Sequence, residues 1–136
     1  MKQLTGKALN SGCACGEAVV FHTTFSFIGD MSPSTGEVTM ARHEHFGKSL
    51  KGKVLVFQTG RGGTIAPFIL YHAAKNGVGP CAILCDHADM LTLECALTVD
   101  IPIVHDFQSK ITELVQDGDM LRVDGGMVTV VSGSEG

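Results

Sequence analysis

The chain has 136 residues, 44% of them hydrophobic and 18% charged, with 17 glycines; this is the size of one ordinary domain with a real core and tight loops. Its 10 basic and 14 acidic residues leave a formal charge of -4, and the basic residues are too few and too scattered for a nucleic-acid footprint. No apolar run approaches the roughly 20 residues of a membrane span, and no basic segment leads into an apolar secretory core, so the chain reads as cytoplasmic.

Residues 4–22 alternate loosely between glycines and small or apolar residues. Ala18 to Phe21 makes the best strand there, after the bend-prone Asn10, Ser11 and Gly12. Phe25, Phe27 and Ile28 fit a second strand or an ordered loop over the core. Asp30 to Glu37 is rich in turn formers, and Ser34-Thr35-Gly36-Glu37 should reverse the chain. His43 and His45 would share one face of a strand with Glu44 between them. That spacing is open to metal ligation, to a structural turn or subunit contact, and to a substrate-facing place at the mouth of a shared site.

Lys53 to Asn76 is the stretch around which the rest is organised. Val54 to Phe57 is an apolar run of strand formers suited to burial on both faces. Gln58 to Gly63 is polar and glycine-rich. From Thr64 an apolar stripe at Ile65, Phe68, Ile69, Ala73 and Ala74 predicts a helix that stops at Asn76-Gly77. In open α/β architectures chemistry collects where a strand hands over to a helix, because the first helical amides lack intrahelical partners and glycines let a ligand reach the backbone. Gly60, Gly62 and Gly63 are placed to expose amides of this kind, although the loop lacks the lysine and following hydroxyl of a nucleotide-binding P-loop.

Ala82 to Leu84 predicts a strand ending in Asp86, His87 and Asp89, where His87 is a candidate for acid/base work. A helix from about Met90 to Leu97 follows. Ile101 to Val104 is a further strand, whose Pro102 favours an edge or initial position. The rhythm implies parallel pairing with right-handed crossovers. Phe107 to Val115 fits a short helix, and Met120 to Val123 joins Met127 to Val131 through Asp124-Gly125-Gly126 as a hairpin. The simplest architecture is a single α/β domain over residues 1–136, with a short parallel sheet and an additional antiparallel β portion. The 5 cysteines are odd in number and irregular in position, which suits reduced thiols. Neither Cys13 with Cys15 nor Cys81 with Cys85 has zinc-site spacing, and Cys81, Cys85 and Cys95 read as packing residues.

Several stretches together resemble the small subunit, or swivel domain, of the aconitase X family of hydro-lyases. They are Ala18-Val19-Val20, Ser34-Thr35-Gly36-Glu37, His43-Glu44 with the Gly47 to Lys53 segment, Gly60-Arg61-Gly62, Leu70-Tyr71, Ile101-Pro102 and the closing hairpin. The resemblance implies a swivelling β/β/α domain that closes over a large catalytic subunit carrying an iron or iron-sulphur centre, with no cofactor held by this chain alone. It implies dehydration of a small hydroxylated acid, such as mevalonate 5-phosphate or cis-3-hydroxy-L-proline. Arg61 would hold a carboxylate or phosphate bidentately, or else pair with the large subunit. In the branch acting on mevalonate 5-phosphate a serine regarded as the catalytic base follows the Arg-Gly pair, and this chain has Gly63 there. Thr64 is the nearest hydroxyl. It either takes that role, after activation by a cation and a dry site, or caps the helix; the base is otherwise the partner's, or the subunit binds or regulates without turnover.

Overall fold

The computed structural model describes residues 2–41, 43, 45–60 and 65–132. Eight strands, β1 (Lys2–Thr5), β2 (Lys7–Asn10), β3 (Cys13–Val20), β4 (Val54–Phe57), β5 (Ala82–Cys85), β6 (Ile103–His105), β7 (Met120–Asp124) and β8 (Met127–Ser132), are joined in the order β1-β8-β7-β3-β4-β5-β6-β2. Among the described residues three helices, α1 (Ala66–Lys75), α2 (Met90–Val99) and the single turn α3 (Ile111–Leu114), accompany them. The parallel core β3-β4-β5-β6 is flanked by antiparallel pairings of β3 with β7, β7 with β8, β8 with β1, and β6 with β2. The fold is therefore mixed α/β, with the parallel and antiparallel portions that the residues predict.

The strand pattern puts alternate residues into different layers. Val19, Leu55, Phe57, Ile83, Cys85 and Ile103 pack with Leu70 and Ala73 of α1 and with Cys95 and Ala96 of α2. Their neighbours Ala18, Val20, Val54, Val56, Ala82, Leu84 and Val104 pack with Leu4, Leu121, Val123, Val128 and Val130. The parallel strands are thus covered by α1 and α2 on one face and by the antiparallel strands, with α3, on the other, a β/β/α stack. All four residues of β4 are buried, which is why the run Val54 to Phe57 has no polar alternation. Each such side chain contributes about 1.5–3 kcal/mol through burial.

Two strands were not foreseen. β1 and β2 are separated only by Gly6, yet β1 pairs with β8 at one end of the strand order and β2 with β6 at the other. The amino-terminal segment is one strand bent at Gly6 that joins both edges. At the bend Gly6 N–H donates to the Gly126 carbonyl at 2.8 Å, and a Cβ there would lie 2.7 Å from the His105 carbonyl oxygen, so the approach excludes any side chain.

Between β3 and β4 the chain makes an ordered loop rather than a strand. Phe25 stacks on Phe57 with centroids 5.6 Å apart and meets Phe21 and Phe27 edge-on or tilted. Pro102 precedes β6, which lies between β5 and β2, so its missing N–H falls at the initial position and not on an edge. The helix expected over Phe107 to Val115 contracts to α3. Among the described residues no helix is long and apolar enough to cross a membrane.

Candidate functional site

Parallel pairing brings the carboxyl ends of β4, β5 and β6 to one rim. The segment entering the glycine-rich loop is fixed from both sides there. Gln58 N–H donates to the Thr23 carbonyl, Phe25 N–H to the Thr59 carbonyl and His87 N–H to the Gln58 carbonyl, each at 3.1 Å. Gly60 pairs with Phe25 and sits against the start of α2, where a Cβ would fall on the Asp89 carboxylate and the Thr92 hydroxyl. Gly60 is therefore required by close approach, with no need of an unusual φ. Arg61, Gly62, Gly63 and Thr64 lie outside the described residues. The chain is described again from Ile65, the N-cap of α1, which offers no side-chain cap bond. The helix thus begins later than its apolar stripe suggests, and the cap position expected of Thr64 belongs to Ile65.

The carboxylates flanking His87 have structural partners. Asp86 accepts Thr112 N–H at 3.1 Å and the Thr112 hydroxyl at 2.8 Å, tying β5 to α3. Asp89 caps α2 through Thr92 N–H at 3.4 Å and also accepts the Thr92 hydroxyl. What lies beside His87 is instead Asp106, 3.8 Å from its Nδ1, with His105 Nε2 3.7 Å from the same carboxylate and Lys7 Nζ at 4.0 Å. Strand-end logic applied to β6 as well as β5 would have found His105 and Asp106.

These two histidines and Asp106 present ligand atoms within 4.8 Å of one another, a grouping that suits a divalent ion on distance alone. The tautomer argues otherwise. His105 Nδ1 accepts the Ala88 N–H at 3.0 Å, so a neutral ring carries its proton on Nε2 and donates toward Asp106. Metal at Nε2 would require that proton and the Ala88 bond to be given up together. The trio is better suited to holding the β5 and β6 ends in place.

His43 and His45 lie in a turn, not on a strand. Their rings are 5.1 Å apart and both pack on Phe21. His45 is buried, with Nε2 2.9 Å from the Val20 carbonyl and 3.4 Å from Asp117, while His43 Nδ1 accepts His45 N–H at 3.1 Å. His45 is thus committed to the end of β3, which fits the structural-turn alternative; Glu44 lies outside the described residues.

The thiols sort by burial. Cys13 and Cys15 are exposed on β3, and Cys13 Sγ–H donates to Asp124 at 3.3 Å, which raises its pKa because the carboxylate disfavours a thiolate. Cys85 and Cys95 are buried. Burial first, then the charge of Asp89, pushes Cys95 up to about 12, and the same two causes raise Cys85 further. Burial also raises the half-buried Cys81.

A family profile described as the aconitase X swivel domain matches residues 3–131. The chain belongs to the aconitase X swivel domain family. It is 37% identical over 123 residues to the phosphomevalonate dehydratase small subunit of Methanosarcina acetivorans, covering 90% of this chain and 85% of that protein. Its identity to the small subunit of the same name from Methanosarcina mazei is 35% over 133 residues, covering 96% and 92% of the two chains. In three dimensions it resembles the crystal structure of Thermococcus kodakaraensis aconitase X in its holo form, with a TM-score of 0.90, 33% identity, and coverage of 97% of this chain and 100% of that one. As an aconitase X swivel domain, the chain carries its glycine-rich loop at the carboxyl end of β4, the central strand of the parallel core together with β5.

Proposed function

We propose that this chain is the small subunit of a two-subunit hydro-lyase that dehydrates a small hydroxylated acid, with mevalonate 5-phosphate the first candidate and cis-3-hydroxy-L-proline the second. The observation that carries the reading is its 37% identity, over 90% of its length, to a phosphomevalonate dehydratase small subunit. In this reading the loop from Gly60 to Thr64 closes over substrate held by a large subunit. Elimination of water needs a base for the carbon-bound proton and an acid, protic or Lewis, for the departing hydroxyl. An iron or iron-sulphur centre in the large subunit would polarise that hydroxyl.

The work of this chain would be on the anionic side of the substrate. Arg61 supplies a bidentate fork, and the amides of Gly60, Gly62 and Gly63 supply donors that no side chain obstructs. Thr64 is the hydroxyl available for proton transfer, and it needs the cation, the adjacent α1 terminus and exclusion of water to act as a base. The pairing of Gly60 with Phe25 and its seating on Asp89 and Thr92 give the loop a rigid root, as positioning of this kind demands.

The test is turnover of both substrates by this chain copurified with its large subunit, with each component alone as control. Turnover only by the complex supports the split site, and its substrate identifies the chemistry. An intact iron-loaded complex inactive on both would favour the second reading, a subunit that binds or regulates without turnover. Gly63, standing where a serine is expected, is the observation behind that alternative.

A further inference from the structure

The turn on which Gly60 rests, residues 86–89, leads from β5 to α2 and grips the segment that enters the glycine-rich loop along its length. Asp86 N–H donates to the Phe57 carbonyl at 3.2 Å and His87 N–H to the Gln58 carbonyl at 3.1 Å, and Asp89 with Thr92 forms the seat of Gly60. Ala88 bonds instead to β6: its N–H donates to Nδ1 of His105 at 3.0 Å. His105 is a firm post for that bond. Its backbone pairs with Lys7 of β2, its carbonyl sits against Gly6, and its side chain is only 12% exposed. The ring fixes the turn, and the turn fixes Gly60.

We infer that His105 is a positioning residue for the glycine-rich loop, acting through Ala88 and Asp89 as a hydrogen-bond acceptor that a single proton removes. The inference rests on the role proposed above for that loop. A neutral imidazole accepts at Nδ1 while its proton is on Nε2, whereas a doubly protonated ring has no acceptor left. Such a ring would face the Ala88 amide donor to donor across 3.0 Å, and one of the two must move. Asp89 directly follows Ala88, so the movement reaches the cap of α2 and the seat of Gly60 together.

Histidine changes charge within about pH 5–8, so the acceptor is present at the upper end of that range and lost toward the lower. The charged and titratable groups around the ring come from three elements. Asp106, which follows His105, has its carboxylate 3.7 Å from Nε2. On the turn, His87 has its ring centroid 5.8 Å from that of His105. On β2, Lys7 Nζ lies 4.0 Å from the Asp106 carboxylate. The other two acids of the turn are already taken up, Asp86 by Thr112 and Asp89 by Thr92.

The experiment is a nuclear magnetic resonance titration of the whole chain from about pH 8 to about pH 5, with amide hydrogen exchange, in which the His105 ring is followed through its own carbon-bound proton. As that ring gains a proton, the Ala88 amide should lose about tenfold in protection, after correction for the intrinsic pH dependence of exchange, and the Gly60 amide signal should shift with the same midpoint. His105→Asn should hold Ala88 protected throughout, because its amide oxygen stands where Nδ1 stood and does not titrate; His105→Leu should leave Ala88 unprotected at every pH. His87→Gln, which removes the neighbouring ring, should keep the wild-type response. Ala88 protection that survives protonation of His105, or a Gly60 signal unmoved by His105→Leu, overturns the inference. In the assembled complex, kcat/KM should fall at least about threefold more between about pH 8 and about pH 6 for the wild type than for His105→Asn. Equal pH profiles with normal turnover overturn the link to the reaction, whereas a wild-type complex without turnover sinks the hydro-lyase reading and leaves the positioning result standing.

Discussion

Replacing Gly60 by alanine should destabilise the protein through the start of α2, a helix that is distant from Gly60 in sequence. The added methyl would collide with the Asp89 carboxylate, whose Cγ would lie 2.8 Å away, and with the Thr92 hydroxyl. Either Asp89 leaves its cap position or Gly60 retreats from Phe25. Losing the cap costs about 1 kcal/mol, and overpacking adds about 1–3 kcal/mol, so the expected loss is about 2–4 kcal/mol. For a domain of this size that lowers the melting temperature by roughly 6–15 °C. Urea unfolding followed by circular dichroism measures it. The same substitution made on an Asp89→Ala background should cost about 1 kcal/mol less, because the carboxylate in the way is gone. Gly60→Ala within about 0.5 kcal/mol of wild type, or strict additivity in the double variant, would refute the reasoning.

Other outcomes follow from the thiols, from His45 and from the loop. At pH 8, in the folded protein, Asp124→Asn should accelerate modification of Cys13 by a disulfide reagent, because the raised pKa comes first from its hydrogen bond to that carboxylate; equal rates with and without Asp124 would contradict this. Cys95 stays protonated in the folded state up to about 12, above its ordinary value of 9.0. The unfolded chain therefore loses that proton first, so the contribution of Cys95 is present below about pH 9 and is lost as the pH climbs toward 12; alkaline unfolding of Cys95→Ala should show a shallower pH slope. His45→Leu leaves the buried Val20 carbonyl without its ring donor and should cost about 1–3 kcal/mol, read by the same urea titration. In the assembled complex Arg61→Gln should raise KM at least tenfold while the isolated chain melts unchanged, and Thr64→Ser should keep turnover that Thr64→Val loses. Activity in Thr64→Val would move the base to the partner.

The elements that could be read from sequence are those whose burial is continuous or strictly periodic. β4, β5, α1, α2 and the β7–β8 hairpin each carry their own signal, since every alternate residue has a layer to enter. β1 and β2 do not, because a strand shared between two edges at a glycine bend shows no uninterrupted alternation. At the rim, strand-end logic located Asp86, His87 and Asp89 but could not assign their roles. Asp86 is committed to Thr112, 26 residues away, and the acid beside His87 is Asp106, held at a φ of 54°. Such pairings are made by topology, and local spacing carries no trace of them. The end of β4 at Phe57 and the body of α1 were legible, while Arg61 to Thr64 lie outside the described residues. Only the close approach to Asp89 and Thr92 explains why Gly60 in particular has no side chain.

The bend at Gly6 also bears on the order in which the molecule can be completed. Lys2–Thr5 leaves the ribosome well before its partner Met127–Val130. The β1–β8 seam therefore waits for every strand between the two, and until it forms β8 is an uncovered edge open to pairing with another chain, as β6 is until β2 joins it. A fusion or truncation that delays or removes residues 2–10 would act on both edges at once, and its first symptom would be aggregation during synthesis.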